Sequence, residues 1–365
     1  MAHISWFSRL LVCFPAVLLA LAPCPVLAAE DSVPSLCEES PPGITALARH
    51  PELYNFHFEN DLFIGTDSDY TNGVKFSWVS ANLRDYTHDP CLPHWVRQLN
   101  RLLETVHPGK YTSRNMVVTV GQSTFTPRDR SRTDLIPNDR PYAGWLYLGL
   151  GYNARDARQM DTVDVNLGVV GPAALAWQTQ NFVHDLNGTT RFNGWSNQLG
   201  NELGVQLVAE RKNRVWNESG SGLQFDAITH YGASLGNVHT YLNTGLELRA
   251  GSRIPNDFGT SPIRPAGDSN APLEGPVTHR FSDGGLHAFI SADARAVAHN
   301  IFLDGNTFSN SHSVDKKYLV GDLATGIAWQ WQGGKITYAR YVRSKEFATQ
   351  EHAHVFDSIT LSLEY

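Results

Sequence analysis

The sequence predicts an all-β chain: a transmembrane antiparallel β-barrel of about twelve strands, with a short helical piece in an outer loop. Three observations carry that prediction. Strict alternation runs to the C-terminus in Ser358-Ile359-Thr360-Leu361-Ser362-Leu363-Glu364-Tyr365, with the apolar residues on one face and the polar ones on the other. Arg9 is followed by the apolar run Leu10 to Leu21, then Pro23, Pro25 and Val26-Leu27-Ala28-Ala29, which has the order of a secretory signal peptide. No other stretch reaches the roughly 20 apolar residues of a spanning helix, so a membrane crossing has to be made by a closed barrel.

The organisation expected from these features is a signal peptide over 1–28, a periplasmic segment over 29–52 and a barrel over 53–365. Alternation places strands near 53–61, 71–81, 115–123, 143–153, 161–170, 198–210, 223–234, 238–250, 286–298, 317–330, 335–344 and 355–365. Apolar faces include Tyr54-Phe56-Phe58, Leu146-Leu148-Leu150, Val163-Val165-Leu167-Val169 and Leu199-Leu203-Val205-Leu207. Interleaved with such faces are Lys75, Asp164, Glu247, Arg249, Asp293 and Arg295, which suit a wet lumen better than a sandwich core. An even strand count puts both termini on the periplasmic side. The connections 62–70, 124–142, 171–197, 235–237, 299–316 and 345–354 then face outward. The long segment 82–114 is periplasmic and holds a helix-like piece, Trp95 to Leu103.

A net charge of −7 without a basic tract argues against nucleic acid as partner. Cys37 and Cys91 remain after signal removal, form no CxxC pair and fall on the periplasmic side of an oxidising compartment. A disulfide between them is the expectation.

Three clusters can carry chemistry. Glu59-Asn60-Asp61 and Asp67-Ser68-Asp69-Tyr70-Thr71-Asn72-Gly73 offer hard oxygen ligands suited to calcium or magnesium, although taken alone the segment reads first as a polar hairpin with Asn-Gly turn chemistry and no ligand. In Asp139-Arg140-Pro141-Tyr142-Ala143-Gly144-Trp145, Arg140 is a candidate phosphate fork or the rim partner of Asp139. The preceding Arg128-Asp129-Arg130-Ser131-Arg132 is a basic loop within reach of anionic head groups, with Arg130 its candidate substrate contact. The third cluster runs from Gly171-Pro172 to His184-Asp185 and on to Gly194-Trp195-Ser196-Asn197-Gln198. Trp177, Gln180 and His184 follow helical spacing, and His184 is a candidate general base. No GxSxG elbow and no HExxH motif is present, which disfavours a serine or zinc hydrolase.

At these clusters the chain resembles the outer-membrane lipid A 3′-O-deacylase family, the LpxR-like proteins. The matching pieces are Asn60-Asp61, Tyr70-Thr71-x-Gly73, Asp139 to Trp145, Gly171-Pro172, Gln180-x-x-x-His184, Gly194-Trp195-x-x-Gln198 and Asn201-Glu202. The resemblance implies an outer-membrane barrel that hydrolyses an ester-linked acyl group of lipid A, in the lipopolysaccharide of the outer leaflet, with Ca²⁺. Carried over, His184 is the base that activates water and Asp61 a calcium ligand, while Asn60 and Thr71 complete the metal and oxyanion surroundings. Strand parity puts Asp61 on the face of Glu59 and Thr71 on that of Lys75, toward the lumen, with Asn60 opposite. The chain departs from the family in an arginine-rich rather than lysine-rich loop. It also has Thr189-Thr190 where some members carry a glutamate, which leaves open whether Asp185 or another carboxylate orients His184. Two other readings stand beside this one, an outer-membrane phospholipase and a non-catalytic porin-like barrel.

Overall fold

In a computed structural model the described residues are 52–61, 69–89, 92–109, 111, 113–218, 222–260, 284–331 and 333–364. The signal peptide, Cys37, Cys91, the hairpin tip with Asp67 and Ser68, and Tyr365 lie outside them. Twelve strands close into one barrel: β1 Leu53–Asn60, β2 Asp69–Val79, β3 Ser113–Thr126, β4 Ala143–Arg155, β5 Gln159–Val170, β6 Glu202–Glu218, β7 Gln224–Gly236, β8 His239–Ser252, β9 Gly285–Asn300, β10 Leu319–Trp331, β11 Gly334–Arg343 and β12 His354–Glu364. Each pairs antiparallel with its sequence neighbours, and β12 pairs with β1 to close the ring. Every expected strand has its counterpart.

The largest shift is at β6, expected over 198–210. Leu199 belongs to no strand; it is buried with Trp145, Val170 and Ile301 at the mouth of the barrel. The far end of β6 runs eight residues past the expected boundary, and its outward positions there include Arg211 and Asn213, which interrupt the apolar alternation.

The two faces follow the alternation. Leu148, Leu167, Leu203, Leu242, Ile290 and Leu323 stand exposed on the outside. Inside, Lys75, Glu210, Lys212, Arg249, Asp322 and Arg343 are buried. Charges removed from water must be paired. Accordingly Arg295 and Arg343 share Asp322 at 2.6 and 2.8 Å, and His230 meets Asp293 at 2.8 Å. Nearer the periplasmic end, residues 254–260 fold inward. There Asp257 accepts from Arg249 and Lys335, and Phe258 lies beneath the Arg214 guanidinium at 5.1 Å.

Three α-helices occur among the described residues. α1, His94–Leu102, lies in the periplasmic connection where the sequence places a helical piece. α2, Ala176–Asn187, is the helix expected in the outer loop. α3, Ile301–Asp304, turns Ile301 and Phe302 into the mouth, where Phe302 stacks on Phe125 at 4.0 Å. No helix among the described residues is long and apolar enough to cross a membrane; the strands do that work.

Candidate active site on the outward face of the wall

Polar side chains are costly on a lipid-facing wall, so a run of them marks a site. Direct cross-strand pairing sets Arg340 opposite Asp357, Asp357 opposite Asn60, Asn60 opposite Asn72, Asn72 opposite Thr124, and Thr124 opposite Gly144. These six residues form one row across β11, β12, β1, β2, β3 and β4, about 4.8 Å per step. All alternate with inward residues such as Glu59, Phe125 and Trp145, so the row faces outward. Asp357, Asn60, Asn72 and Thr124 are nonetheless buried.

Thr71 joins this face through a bulge. The β2–β3 register shifts between Tyr70 and Asn72, which leaves Thr71 without a cross-strand counterpart. An inserted residue reverses the parity beyond it. Tyr70 therefore points inward, against Phe125 and Phe356, while the Thr71 hydroxyl meets that of the outward Thr126 at 2.6 Å. The expectation that Thr71 shares the lumen face of Lys75 is corrected accordingly. Asp61 lies past the end of β1, where alternation no longer rules, and its side chain is fully enclosed.

α2 covers the end of the row. The outward Gln122 of β3 donates to the carbonyl of Ala174 at 2.6 Å, and a Cβ on Gly144 would stand 2.5 Å from that of Ala176. Only glycine lets the helix sit this close. Leu175, at φ 58°, makes the sharp entry into the helix. Ala176, Gln180 and His184, spaced by four, are all buried, whereas Trp177 and Phe182 on other sides of the helix are exposed. The helix stops at Gly188, φ 66°, and the chain doubles back.

That reversal builds the surroundings of His184. Its Nδ1–H donates to the carbonyl of Thr190 at 2.7 Å, which leaves the basic lone pair on Nε2. Phe192 presents its ring edge-on to the imidazole at 5.7 Å, and Arg130 lies over the same phenyl ring at 5.8 Å. Trp195 Nε1 donates to Gln180 Oε1 at 2.9 Å. Asp185 does not orient His184; it pairs with Arg191 on the exposed side.

The structure thus gathers Asn60, Asp61, Thr71, His184 and Arg130 at one end of the barrel, with Asn60, Thr71 and α2 on its outward face. Arg140 lies on the lumen side, beside the inward Phe125. It is buried in the mouth, donates to Glu346 Oε2 at 2.9 Å and lies between the rings of Phe125 and Phe347. Its guanidinium pairs with Glu346, while the Asp139 carboxylate accepts from the main-chain N–H groups of Arg128 and Arg140. Sequence reasoning overlooks Phe192, Thr124, Thr126 and the Arg340–Asp357 pair, held at 2.8 and 3.0 Å. Of these only the pair leaves a signal: two charges on the otherwise apolar faces Tyr338-x-Arg340-x-Val342 and Val355-x-Asp357-x-Ile359.

A family profile described as outer membrane protein LpxR matches residues 12–365. The chain belongs to that family. No curated protein matches it. Among solved structures, LpxR from Salmonella typhimurium shares the fold, with a TM-score of 0.67 at 15% identity over 86% of this chain and 100% of that one. The β domain of the Bordetella autotransporter BrkA gives 0.41 at 9% identity over 87% and 99%. The translocator domain of NalP from Neisseria meningitidis gives 0.35 at 8% over 87% and 88%. As a member of the LpxR family, the chain is an outer-membrane protein, and its exposed apolar band is the surface that meets lipid.

The LpxR-like reading implies calcium, and the residues fit a hard cation. The side-chain oxygen of Asn72, next to Asn60 in the row, is buried without a hydrogen-bond partner among the described residues. An amide oxygen and, next to its strand partner Asn60 in sequence, the enclosed carboxylate of Asp61 are both donor types that calcium takes. No group of three His, Cys, Asp or Glu side chains placed to hold a metal ion occurs among the described residues, so carboxylates alone would not complete the shell.

Proposed function

We propose that this outer-membrane protein is a lipid A deacylase that hydrolyses an ester-linked acyl group, the 3′ one by family resemblance, with water as nucleophile. The observation that carries the reading is His184: a buried imidazole, its Nδ1–H committed to a main-chain carbonyl, on a helix clamped to the lipid side of the wall. An ester at this place arrives from the membrane and not from the lumen.

In this reading His184 Nε2 removes a proton from water as its oxygen attacks the ester carbonyl, and the imidazolium then returns that proton to the departing sugar oxygen. Thr190 holds the ring so that Nε2 points to the reacting water, and Phe192 limits its rotation. Arg130 stands beside that phenyl ring, placed to meet an anionic head group. Calcium, when bound at Asp61 with amide oxygens of Asn60 and Asn72 nearby, would polarise the carbonyl and stabilise the oxyanion. Thr71, tied to Thr126, would hold the edge of that oxyanion environment.

Mass spectrometry of lipid A from cells expressing the protein tests this. Loss of one acyl unit is expected from the wild type, and none from His184→Ala or Asp61→Ala with the barrel still folded. Unchanged lipid A alongside released lysophospholipid would favour a phospholipase instead.

A further inference from the structure

α1 occupies the other end of the same two strands that carry α2. Val96 and Asn100 are buried against Leu83, Tyr86, Met116 and Tyr152. Asn100 Oδ1 accepts from the Tyr152 hydroxyl at 2.8 Å, and its Nδ2 donates to the carbonyl of Tyr86. Met116 and Tyr152 are direct cross-strand partners on the outward face, and the next outward pair is Val118 with Leu150. Leu150 packs on the same cluster, and beyond it Val120 and Leu148 are exposed to lipid. The helix therefore lies outside the barrel and begins where the lipid-facing band ends.

Its sides are sorted. At 100° per residue Val96, Asn100 and Leu103 face the wall, Trp95, Leu99 and Leu102 form one flank, and Arg97 and Arg101 form the other. Trp95 is 69% exposed and Leu102 80%. Arg84 adds a further exposed cation beside the helix, its carbonyl accepting from Arg114 Nη1 at 2.7 Å. An apolar flank on a water-facing loop would lose free energy. Burial of that flank in acyl chains beside the lipid-facing wall would remove this cost.

We propose that α1 is an interfacial helix that binds the phospholipids of the inner leaflet. Trp95 and Leu102 enter the boundary between head groups and chains, and Arg97 and Arg101 pair with phosphates. Tryptophan is the residue best suited to such a boundary. The wall under α2 is thereby gripped at both membrane surfaces. This inference does not depend on the deacylase reading.

The test uses the full-length barrel in vesicles of phosphatidylethanolamine and phosphatidylglycerol with dibrominated chains. Subtracting the emission of Trp95→Phe from that of the wild type isolates one tryptophan. Brominated lipid is expected to cut that difference by about half or more, while aqueous acrylamide leaves most of it. The double variant Arg97→Glu with Arg101→Glu is expected to weaken quenching by the lipid. A Trp95 signal open to acrylamide and untouched by bromine overturns the proposal. Unaltered quenching in the double variant overturns its phosphate half. All the substituted side chains lie away from the wall, and heat-modified gel mobility checks that each barrel is folded.

Discussion

His184 is held by a main-chain oxygen, and a carbonyl acts differently from a carboxylate. It fixes the tautomer by accepting from Nδ1–H but supplies no full negative charge to the imidazolium. Asp185, next in sequence and the obvious candidate, is drawn away by Arg191. Asp185→Asn should therefore leave turnover of lipid A within about twofold of the wild type, as for other exposed ion pairs. A fall like that of His184→Ala would show that Asp185 acts on the ring after all. Spacing makes His184 and Gln180 legible in the sequence. Thr190 is not legible, because its contribution is a backbone group that any residue would supply. Arg140 teaches the reverse lesson: its side chain is conspicuous in the sequence, yet its surroundings are structural. Arg140→Ala would leave the buried Glu346 with only the longer Arg343 contact at 3.9 Å, at a cost of about 3 kcal/mol, read as a lower temperature of barrel unfolding. Burial alone would push the Glu346 carboxyl up, but Arg140, Arg343 and Arg295 outweigh it and bring it from 4.5 down to about 2. A carboxyl more acidic when folded stabilises fully above its unfolded value and loses that contribution as pH falls from about 4.5 toward about 2. Acid titration of the unfolding temperature should show a decline across that window, and Glu346→Gln should remove this component.

At the scale of elements, the site depends on how closely α2 approaches the wall. Gly144 is the contact point: a methyl there meets Ala176 at 2.5 Å and Ala174 at 3.0 Å, and neither neighbour has a flexible side chain that can move aside. Gly144→Ala should lift the helix, at a cost of about 1–3 kcal/mol for overpacking, and carry His184 away from the row of Asn60 and Asn72. Lipid A deacylation should then fall while gel mobility still reports a folded barrel. Equal activity in the variant would mean that α2 can slide without displacing the imidazole. The sequence shows that a helix exists here, through its spacing, and that Gly144 belongs to a distinctive run. It does not show which side of the wall the helix covers. Nor does it show that Thr71 faces outward: one inserted residue in β2 decides that, and a bulge has no compositional mark when the residues beside it are polar on both faces.

For the whole molecule, strand number, order and the two faces are legible because one period-2 rule applies to every strand and lipid enforces it. Leu203, Leu242 and Ile290 stay apolar on the outside because water-seeking groups cannot face chains there. The interior carries no comparable rule, and its partners come from distant strands. Asp257 illustrates this: it reaches from the β8–β9 connection to Arg249 on β8 and Lys335 on β11, while its main-chain carbonyl accepts from Arg214 on β6. These bonds pin residues 254–260 across the lumen, with Phe258 buried among them. A barrel so filled should not conduct like a porin. In planar bilayers the wild type is expected to show no regular pore-sized steps. Asp257→Ala should introduce them, because it removes the anion that holds Arg249 and Lys335 together and frees the segment to leave. Arg249 keeps its pair with Asp226, so the loss of the single Asp257 anion should shift that conductance toward anions. Regular steps already present in the wild type, unchanged in Asp257→Ala, would show that residues 254–260 are not the barrier and would reopen the reading of this barrel as a passive pore.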